Sequence, residues 1–532
     1  MIVRASLATV VAFAAATAAQ AAITIGKKPT QNVACSAGIC SATAAKATLN
    51  ATDLANMLAA SDVTVAPGAL AQDIDVTASF SWVSAHRLTL DAYRSIGIEK
   101  PVDVAGTAGF TLTFGDGGSD GTLAFTNRGS VQFRDVNSSL VIQGTSYGLV
   151  KTVKQLAAQI AQDPGGHFAL SGNYNAGKDG TYTKPPIPTD FTGTFEGLGN
   201  TISNLTIHSS SSSDIGLFAD VDTGGVLRDI SLAAADIQSN GSSAAVGALM
   251  GAGTGVLVAG AHVDATVSAP HSFESGILAA EIFNGEVDYS SSSGAITGNN
   301  GVGGLVADNF NSTIRWSSSS ATVSSPFADV GGLVGTNYSS QGPIYGIDHC
   351  FATGAVSVPS ATYIGGLVGY SANAFLSNSY ATGTVTGGDG ANAGGLIGHA
   401  EGSIATSYAI GSVTGGQNAW VGGLAGYKLV TTTAVYSTGA VSAGAGSKIG
   451  GSIGLDATLN GYNNAYIYWD TDTSGVSDLS QGVGNVSSDS GVTGLTTSQL
   501  QSQLPSGFDR HVWAQKQTVN GGLPYLRDLP PR

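Results

Sequence analysis

Positive charge is scarce in this chain. Lysine and arginine number 21 in 532 residues, and no basic cluster occurs. Nucleic acid and anionic membrane surfaces both select concentrated cationic charge, so neither is an expected partner. The 36 acidic residues set a formal net charge of −15, a modest acidity that keeps a β-rich chain soluble. Long apolar runs are missing as well. Beyond the N-terminus no stretch approaches the roughly 18 uninterrupted apolar residues of a membrane-crossing helix. The ten-residue amphipathic strands of an outer-membrane barrel are also absent, so passage through an outer membrane requires a pore from another protein. Cysteine occurs three times. Cys35 and Cys40 lie in a short polar loop with no histidine or further cysteine nearby. A disulfide formed in an oxidising compartment is expected there, ahead of a redox or metal role.

Glycine is abundant, at 75 residues, and Ser, Thr, Ala and Val fill much of the rest. β-Branched residues recur throughout, which makes the chain too apolar for disorder. From Gly216 to Gly451 one phrase repeats: VGGLVA (302–307), VGGLVG (330–335), IGGLVG (364–369), AGGLIG (393–398) and VGGLAG (421–426). Degenerate copies are IGLFAD (215–220), VGALMG (246–251), SGILAA (275–280) and IGGSIG (449–454). The second glycines, Gly304, Gly332, Gly366, Gly395, Gly423 and Gly451, are 28, 34, 29, 28 and 28 residues apart. A fixed period of this length means a repeat array. Within the later rungs a second phrase recurs: SSGAITG (292–298), FATGAVS (351–357), YATGTVT (380–386), YAIGSVT (408–414) and YSTGAVS (436–442). Each rung is expected to hold two or three short strands, with glycines at tight corners of positive φ. Stacking buries a shared column and pairs each strand with the one above, at about 4.8 Å per rung. Propeller blades need longer units. Leucine-rich repeats need an L-x-x-L-x-L pattern with an Asn ladder, and calcium-binding rolls need G-G-x-G-x-D; neither is present. The expected fold is all-β, a right-handed parallel β-helix with a short helix near 152–162 and a C-terminal cap.

The chain divides accordingly. Residues 1–21 read as a signal peptide, with Arg4, an apolar core over 5–16 and a small-x-small site at Ala19-Gln20-Ala21. Residues 22–150 hold a helix at 52–60 and short period-two strands at 74–76, 88–92, 96–98, 102–104, 110–114, 123–125, 131–133 and 140–142. Residues 151–190 hold the helix, capped by Thr152 and Gln155, and a polar connecting loop. Residues 191–460 are the repeat array. Residues 461–532 are the cap, with a helix at 496–504 and aromatic anchors Phe508, Trp513 and Tyr525. Cys350 aligns with Ser290, Ser317, Ser379 and Ser407, so it reads as a small buried side chain.

Catalytic equipment is sparse. A uronate lyase needs cations, and Arg315 is the one Arg or Lys between Asp229 and Tyr427. A glycosidase needs two carboxylates on one groove. Asp264, Glu274, Glu281, Asp308, Asp329, Asp348, Asp389 and Glu401 show no shared register along the repeats, and Glu286 with Asp288 reads as solvated surface. No H-E-x-x-H occurs, and no G-x-S-x-G elbow with a plausible triad order. The chain is expected to be no enzyme and to use no cofactor. Asp470, Asp472 and Ser474 resemble half a calcium loop, but Gln481 stands where a bidentate glutamate is needed, and an ordinary Asx turn is the favoured reading. Asp116 and Asp120 invite the same reading.

Aromatic residues recur with the repeat. Phe351, Tyr380, Tyr408 and Tyr436 occupy one position, and Tyr370, His399 and Tyr427 another. Stacked rungs turn each set into a ladder. Tyr380 alternates with Ser379 and Ala381, whose small side chains suit the interior, so the first ladder is expected to face outward and contact sugar rings or a partner surface. The competing expectation is that these rings stack on one another and shield a corner.

The GGLVG and YATGxV phrases resemble the GLUG motif of bacterial surface adhesins and of the non-catalytic parts of some secreted immunoglobulin A peptidases. FTGTFEGLGNTISNLTI (191–207) resembles the segment opening such arrays. YWDTDTSG (468–475), GLTTSQL (494–500), LPSGFDRHVW (504–513) and GGLPYL (521–526) resemble the closing one. Residues 73–114 are similar to the coils of filamentous-haemagglutinin-like exoproteins, although the N-P-N-G-type motif of their secretion domain is missing. The resemblance implies a secreted or surface-exposed adhesin of a Gram-negative bacterium. It would bind an extracellular glycan or protein surface without catalysis, after passage through an outer-membrane export protein. Two other functions fit the same architecture: a carbohydrate-binding or carbohydrate-active β-helix, and a structural spacer of a surface layer or biofilm matrix.

Overall fold

The computed structural model describes residues 21–531 except 119–120, 211–213, 243–244, 328, 361 and 459–463. The expected signal segment therefore lies almost wholly outside the described residues, and so does Asp120.

Alternating apolar residues build the N-terminal coils. Leu123–Phe125, Ile96–Ile98, Asp73–Val76, Ala22–Gly26 and Lys46–Asn50 pair in that order as one parallel sheet. Phe80–Trp82, Val102–Val104 and Val131–Phe133 form a second. The eight strands expected from period-two alternation are all present, within one residue of their expected ends. Helix α1 (Ala51–Leu58) closes this end, its first turn capped by the Asn50 side chain and its Ala51, Leu54 and Leu58 face buried. Cys35 and Cys40 face each other across an antiparallel hairpin and are joined by a disulfide.

A hairpin of Ser139–Ile142 with Thr145–Val150 leads to helix α2 (Val153–Gln162). Its N-cap Thr152 accepts from Gln155 N, and Val153, Leu156 and Ile160 are buried. The helix is a crossover, since the flanking strands Thr145–Val150 and His167–Leu170 pair in parallel. The polar segment that follows is not a plain loop. Tyr174–Asn175 and Thr181–Tyr182 pair with Thr201–Ser203 and Thr206–Ser209, so it forms the first turn of the array.

The array is a parallel β-helix. One face is a nine-stranded sheet running from Phe218–Val221 to Ile453–Asp456, and another is an eight-stranded sheet from Ala245–Val246 to Lys448–Gly450. A typical rung contains five short strands, more than the two or three expected: Gly301–Gly303, Val306–Phe310, Thr313–Arg315, Ser318–Ser319 and Thr322–Ser324. Corners fall every few residues, so each strand is too short to show alternation by itself. Val302, Leu305, Val306 and Ile314 are fully buried, as are Val330, Leu333, Val334 and Ile347 one rung on. Burial of each such side chain contributes about 1.5–3 kcal/mol.

The phrase glycines answer a lack of space, and none of the GGL pairs has positive φ. A Cβ on Gly332 would lie 2.2 Å from the carbonyl oxygen of Gly366, and one on Gly366 would lie 2.1 Å from that of Gly395. A Cβ on the closing Gly398 would meet the Ile364 nitrogen at 2.3 Å, so backbone packs on backbone where the two sheets meet. The positive-φ corners fall elsewhere, many on asparagine: Asn311, Asn373 and Asn378.

Polar columns also run inside. The Asn309 amide donates to Asn337 Oδ1 at 2.8 Å, and Asn337 Nδ2 reaches Ser371 Oγ at 3.2 Å, a short asparagine ladder that the repeat phrases do not advertise. Ser317, Ser379 and Ser407 each accept the backbone N–H of the preceding rung, from Ser290, Cys350 and Ser379 in turn. Cys350 occupies this column and is fully buried.

The C-terminal segment continues the stack with Asn464–Asp470 and Val492–Leu495. Helix α3 (Thr497–Ser502) then begins with a complete capping box of Thr496 and Gln499. It is shorter than the expected 496–504, ending ahead of Pro505. From there the cap folds back along the side of the array.

Candidate binding face

The cap decides the fate of the first aromatic ladder. Phe351, Tyr380, Tyr408 and Tyr436 do form a column, with neighbouring centroids 5.0, 4.9 and 5.0 Å apart and nearly parallel rings. They point away from the solenoid interior, since Ala352, Ala381 and Ala409 beside them line the inner core. Yet Tyr380, Tyr408 and Tyr436 are buried, packed with Leu500, Phe508, Trp513 and Leu526 in a cluster of their own. The Tyr436 hydroxyl donates to Pro524 O at 2.6 Å. The expectation of an exposed ladder is therefore corrected, and the competing expectation, rings stacked on one another and shielded, is the arrangement found. The outward-facing rings form the seat for the apolar residues of the cap.

The second ladder is only partly exposed: Tyr370 and Tyr427 are half-buried, and His399 between them is buried. The register of the nine-stranded sheet places Asp220, Ala252, Glu281, Asp308, Thr336, Tyr370, His399 and Tyr427 in one column. Beside it the eight-stranded sheet aligns Glu274 with Gly301, and Tyr363 with Asn392, Trp420 and Lys448. Asp329, just before the Val330 that pairs with Ile364, fills the rung between. The two columns form one stripe about 35 Å long at about 4.8 Å per rung. Its first half is acidic and its second half aromatic.

In the aromatic half, Tyr363 lies 5.5 Å from Tyr370 and 4.4 Å from His399. His399 stacks on Tyr427 at 4.2 Å, and Tyr427 on Trp420 at 5.4 Å. Stacked rings present their edges, so this surface offers hydroxyls and ring N–H groups more than open ring faces. Asn392 Nδ2 donates to His399 Nδ1 at 3.2 Å, which leaves Nε2 as the donor to Glu401 at 3.0 Å. Burial holds the His399 pKa below its ordinary value, in keeping with that neutral tautomer. The Tyr370 hydroxyl donates to the other oxygen of Glu401.

In the acidic half burial raises the carboxyl pKa values, and like charge adds to it at Glu281 and Asp308. Asp308 is pushed up to about 7 by burial and then by Glu281 and Asp329. Glu281 reaches about 7 through burial and then Glu274, and Asp329 about 6 through burial. Sequence reading found no register among these acids, but Glu281 and Asp308 are direct cross-rung partners. Tyr363 and Trp420 were missed as well. Both stand immediately before the repeated GG phrase, a position at which the copies could have been aligned.

Glu286 and Asp288 are not free surface acids. Arg315 bridges both, its Nε lying 3.3 Å from Asp288, and Asp288 is buried. Asp470, Asp472 and Ser474 form a turn that anchors α3. Asp470 accepts from Asp472 N at 2.9 Å and Thr497 Oγ1 at 2.7 Å, Asp472 from Thr497 N, and Ser474 from Val476 N. Among the described residues no group of three or more His, Cys, Asp or Glu is arranged to hold a metal ion. Two concavities, of about 340 and 270 Å³, are lined by residues such as Tyr466 and Thr493 or Arg134 and Lys151, away from the stripe. The stripe is a flat face, suited to an extended ligand or another surface.

These features define a β-solenoid repeat protein with a capped side and an open stripe. The GLUG motif model matches residues 360–386, and the in-register rungs on either side repeat that motif. The chain is 34% identical to halomucin of Haloquadratum walsbyi over 116 residues, which is 22% of this chain and 1% of that protein. A solved IgA1 protease structure aligns over 64% of this chain and 23% of that one, at 19% identity and a TM-score of 0.32. The chain thus spans a small part of each of these proteins.

Proposed function

We propose that this is a secreted or cell-surface adhesin-like protein that binds an extended extracellular glycan, or a protein surface, along the stripe, without catalysis. One observation carries this reading: the half-buried rings of Tyr363, Tyr370, Trp420 and Tyr427, packed around the buried His399, line one stripe of the β-helix. The rung spacing of about 4.8 Å repeats ring edges at a fixed interval along the stripe, as an extended ligand requires. Long solenoids present extended surfaces of this kind. Bacterial origin, export by a cleaved signal and passage through an outer-membrane partner complete the reading and rest on the sequence motifs. The test displays the chain 22–532 on glycan and extracellular-matrix arrays. Binding lost on joint substitution of Tyr363, Tyr370, Trp420 and Tyr427 by serine, with the β circular-dichroism signature kept, supports it. Absence of binding to every surface overturns it.

A second reading has its own observation. Glu281 and Asp308 sit one rung apart with raised pKa values, and retaining glycosidases hold two carboxyl groups about 5–5.5 Å apart. Hydrolysis of a polysaccharide that Glu281→Gln abolishes would favour this carbohydrate-active reading.

A further inference from the structure

The inward column that holds Asn309, Asn337, Ser371 and Ala400 continues with Lys428 and then Asp456. A lysine here is anomalous, because its amine ends inside the solenoid. Lys428 is fully buried, and its Nζ lies 2.9 Å from Asp456 Oδ2 and 3.0 Å from Val430 O. The same Asp456 oxygen accepts from Asn464 Nδ2 at 2.8 Å. One carboxylate oxygen thus touches both an amine and a carboxamide. Asn464 is further held by Asp489, at 2.7 Å from Nδ2, and its own carbonyl oxygen is buried without a hydrogen-bond partner among the described residues. The Thr458 backbone and hydroxyl fix the other oxygen of Asp456.

We propose that Lys428 and Asn464 become joined by a side-chain amide bond, with Asp456 as the proton relay. Asp456 takes a proton from the Lys428 ammonium. The freed amine attacks Cγ of Asn464, and the new C–N bond forms as the old one breaks. Asp456 passes its proton to the departing nitrogen and takes the one the lysine nitrogen gives up, so neutral ammonia leaves and Asp456 ends protonated. No oxidant or co-reactant is needed. Burial favours the neutral amine, lowering the Lys428 pKa, and that is the nucleophilic form. The product also replaces a buried ion pair, which is costly to desolvate, by a neutral amide beside a carboxylic acid. Asn464 opens the strand Asn464–Asp470 that starts the cap. The bond would therefore tie the last full rungs to the cap and block unzipping from that end. This does not depend on the ligand of the stripe.

The test is mass spectrometry of the purified full chain, digested with trypsin after denaturation. The expected result is one branched peptide containing Lys428 and Asn464, lighter by one ammonia than its two parts, with no cleavage after Lys428. Asp456→Ala should give the two separate peptides, and so should Lys428→Met, which keeps an apolar side chain of similar length in the core. Separate, unmodified peptides from the wild-type chain overturn the proposal. A branched peptide lighter by one water overturns it too, since that would place the bond on Asp456.

Discussion

Tyr408 and Trp513 lie ring against ring, 6.0 Å between centroids, although one belongs to the repeat array and the other to the chain's last segment. Trp513 also contacts Tyr436 and stacks on Phe508 at 4.4 Å, and all four rings are buried. Trp513→Ala should therefore cost about 3–5 kcal/mol of cap docking, the usual loss for a buried tryptophan. The array itself should survive, because each rung contacts mainly its neighbours. Limited proteolysis checks this: rapid loss of residues beyond about 495, with a resistant core, is expected. Uniform degradation would show that the cap and array unfold together.

The glycine phrase separates two roles that look alike in sequence. Gly332 faces the carbonyl of Gly366 so closely that any Cβ must push two rungs apart, whereas a Cβ on Gly301 would find its nearest atom at 3.6 Å. Gly332→Ala should destabilise by about 1–3 kcal/mol or more through overpacking. Gly301→Ala should be near neutral or slightly stabilising, because it restricts the unfolded chain. Chemical denaturation of the two variants side by side tests the difference.

The acidic half of the stripe should make stability depend on pH. The folded pKa values of Glu281 and Asp308, about 7, lie above their ordinary values of 4.5 and 3.8. Folding therefore favours the protonated carboxyls. Their stabilisation is complete below about pH 4 and is lost as pH rises toward 7. Asp348 is shifted the other way, against its burial, by hydrogen bonds from His349, Asn378 and Ser377, and its contribution is lost only on stronger acidification. The thermal midpoint should fall between pH 5 and pH 8, and Glu281→Gln with Asp308→Asn should flatten that fall. An unchanged slope in the double variant would show that these carboxyls are solvated as ordinary acids.

The periodicity of the GG phrase carried the fold, because in-register stacking turns a repeat into columns. The second ladder, Tyr370, His399 and Tyr427, was legible for the same reason. Its neighbours Tyr363 and Trp420 share a position just before the GG phrase that aligning the copies would have shown, but the sheet junction that brings them beside the ladder is set by the corners. The burial of Tyr380, Tyr408 and Tyr436 was illegible in the repeats, because what covers them lies far along the chain. Parity gave their outward direction correctly but could not say what lies outside. The acid register was hidden by phrase copies that keep the spacing while the residue type changes, so Glu281, Asp308 and Thr336 share a column without sharing a letter.

Cys350 interrupts a column that otherwise runs in serine. Ser317, Ser379 and Ser407 each accept a backbone N–H from the rung before, and each donates to a carbonyl two residues back, at 2.8, 2.6 and 2.7 Å. The Cys350 sulfur lies 3.2 Å from Asp348 O, and burial holds its thiol pKa far above the ordinary value, so it is no nucleophile. A serine there has the partners its neighbours use, the Ser317 N–H and the Asp348 carbonyl. Sulfur makes both hydrogen bonds only weakly. Cys350→Ser should therefore be neutral or stabilising by about 0.5–1.5 kcal/mol. Cys350→Ala, which removes the acceptor and leaves the cavity, should be destabilising. The order Ser ≥ Cys > Ala in denaturation midpoint is the check. A serine variant as weak as the alanine one would show that the column is held by volume and not by hydrogen bonds.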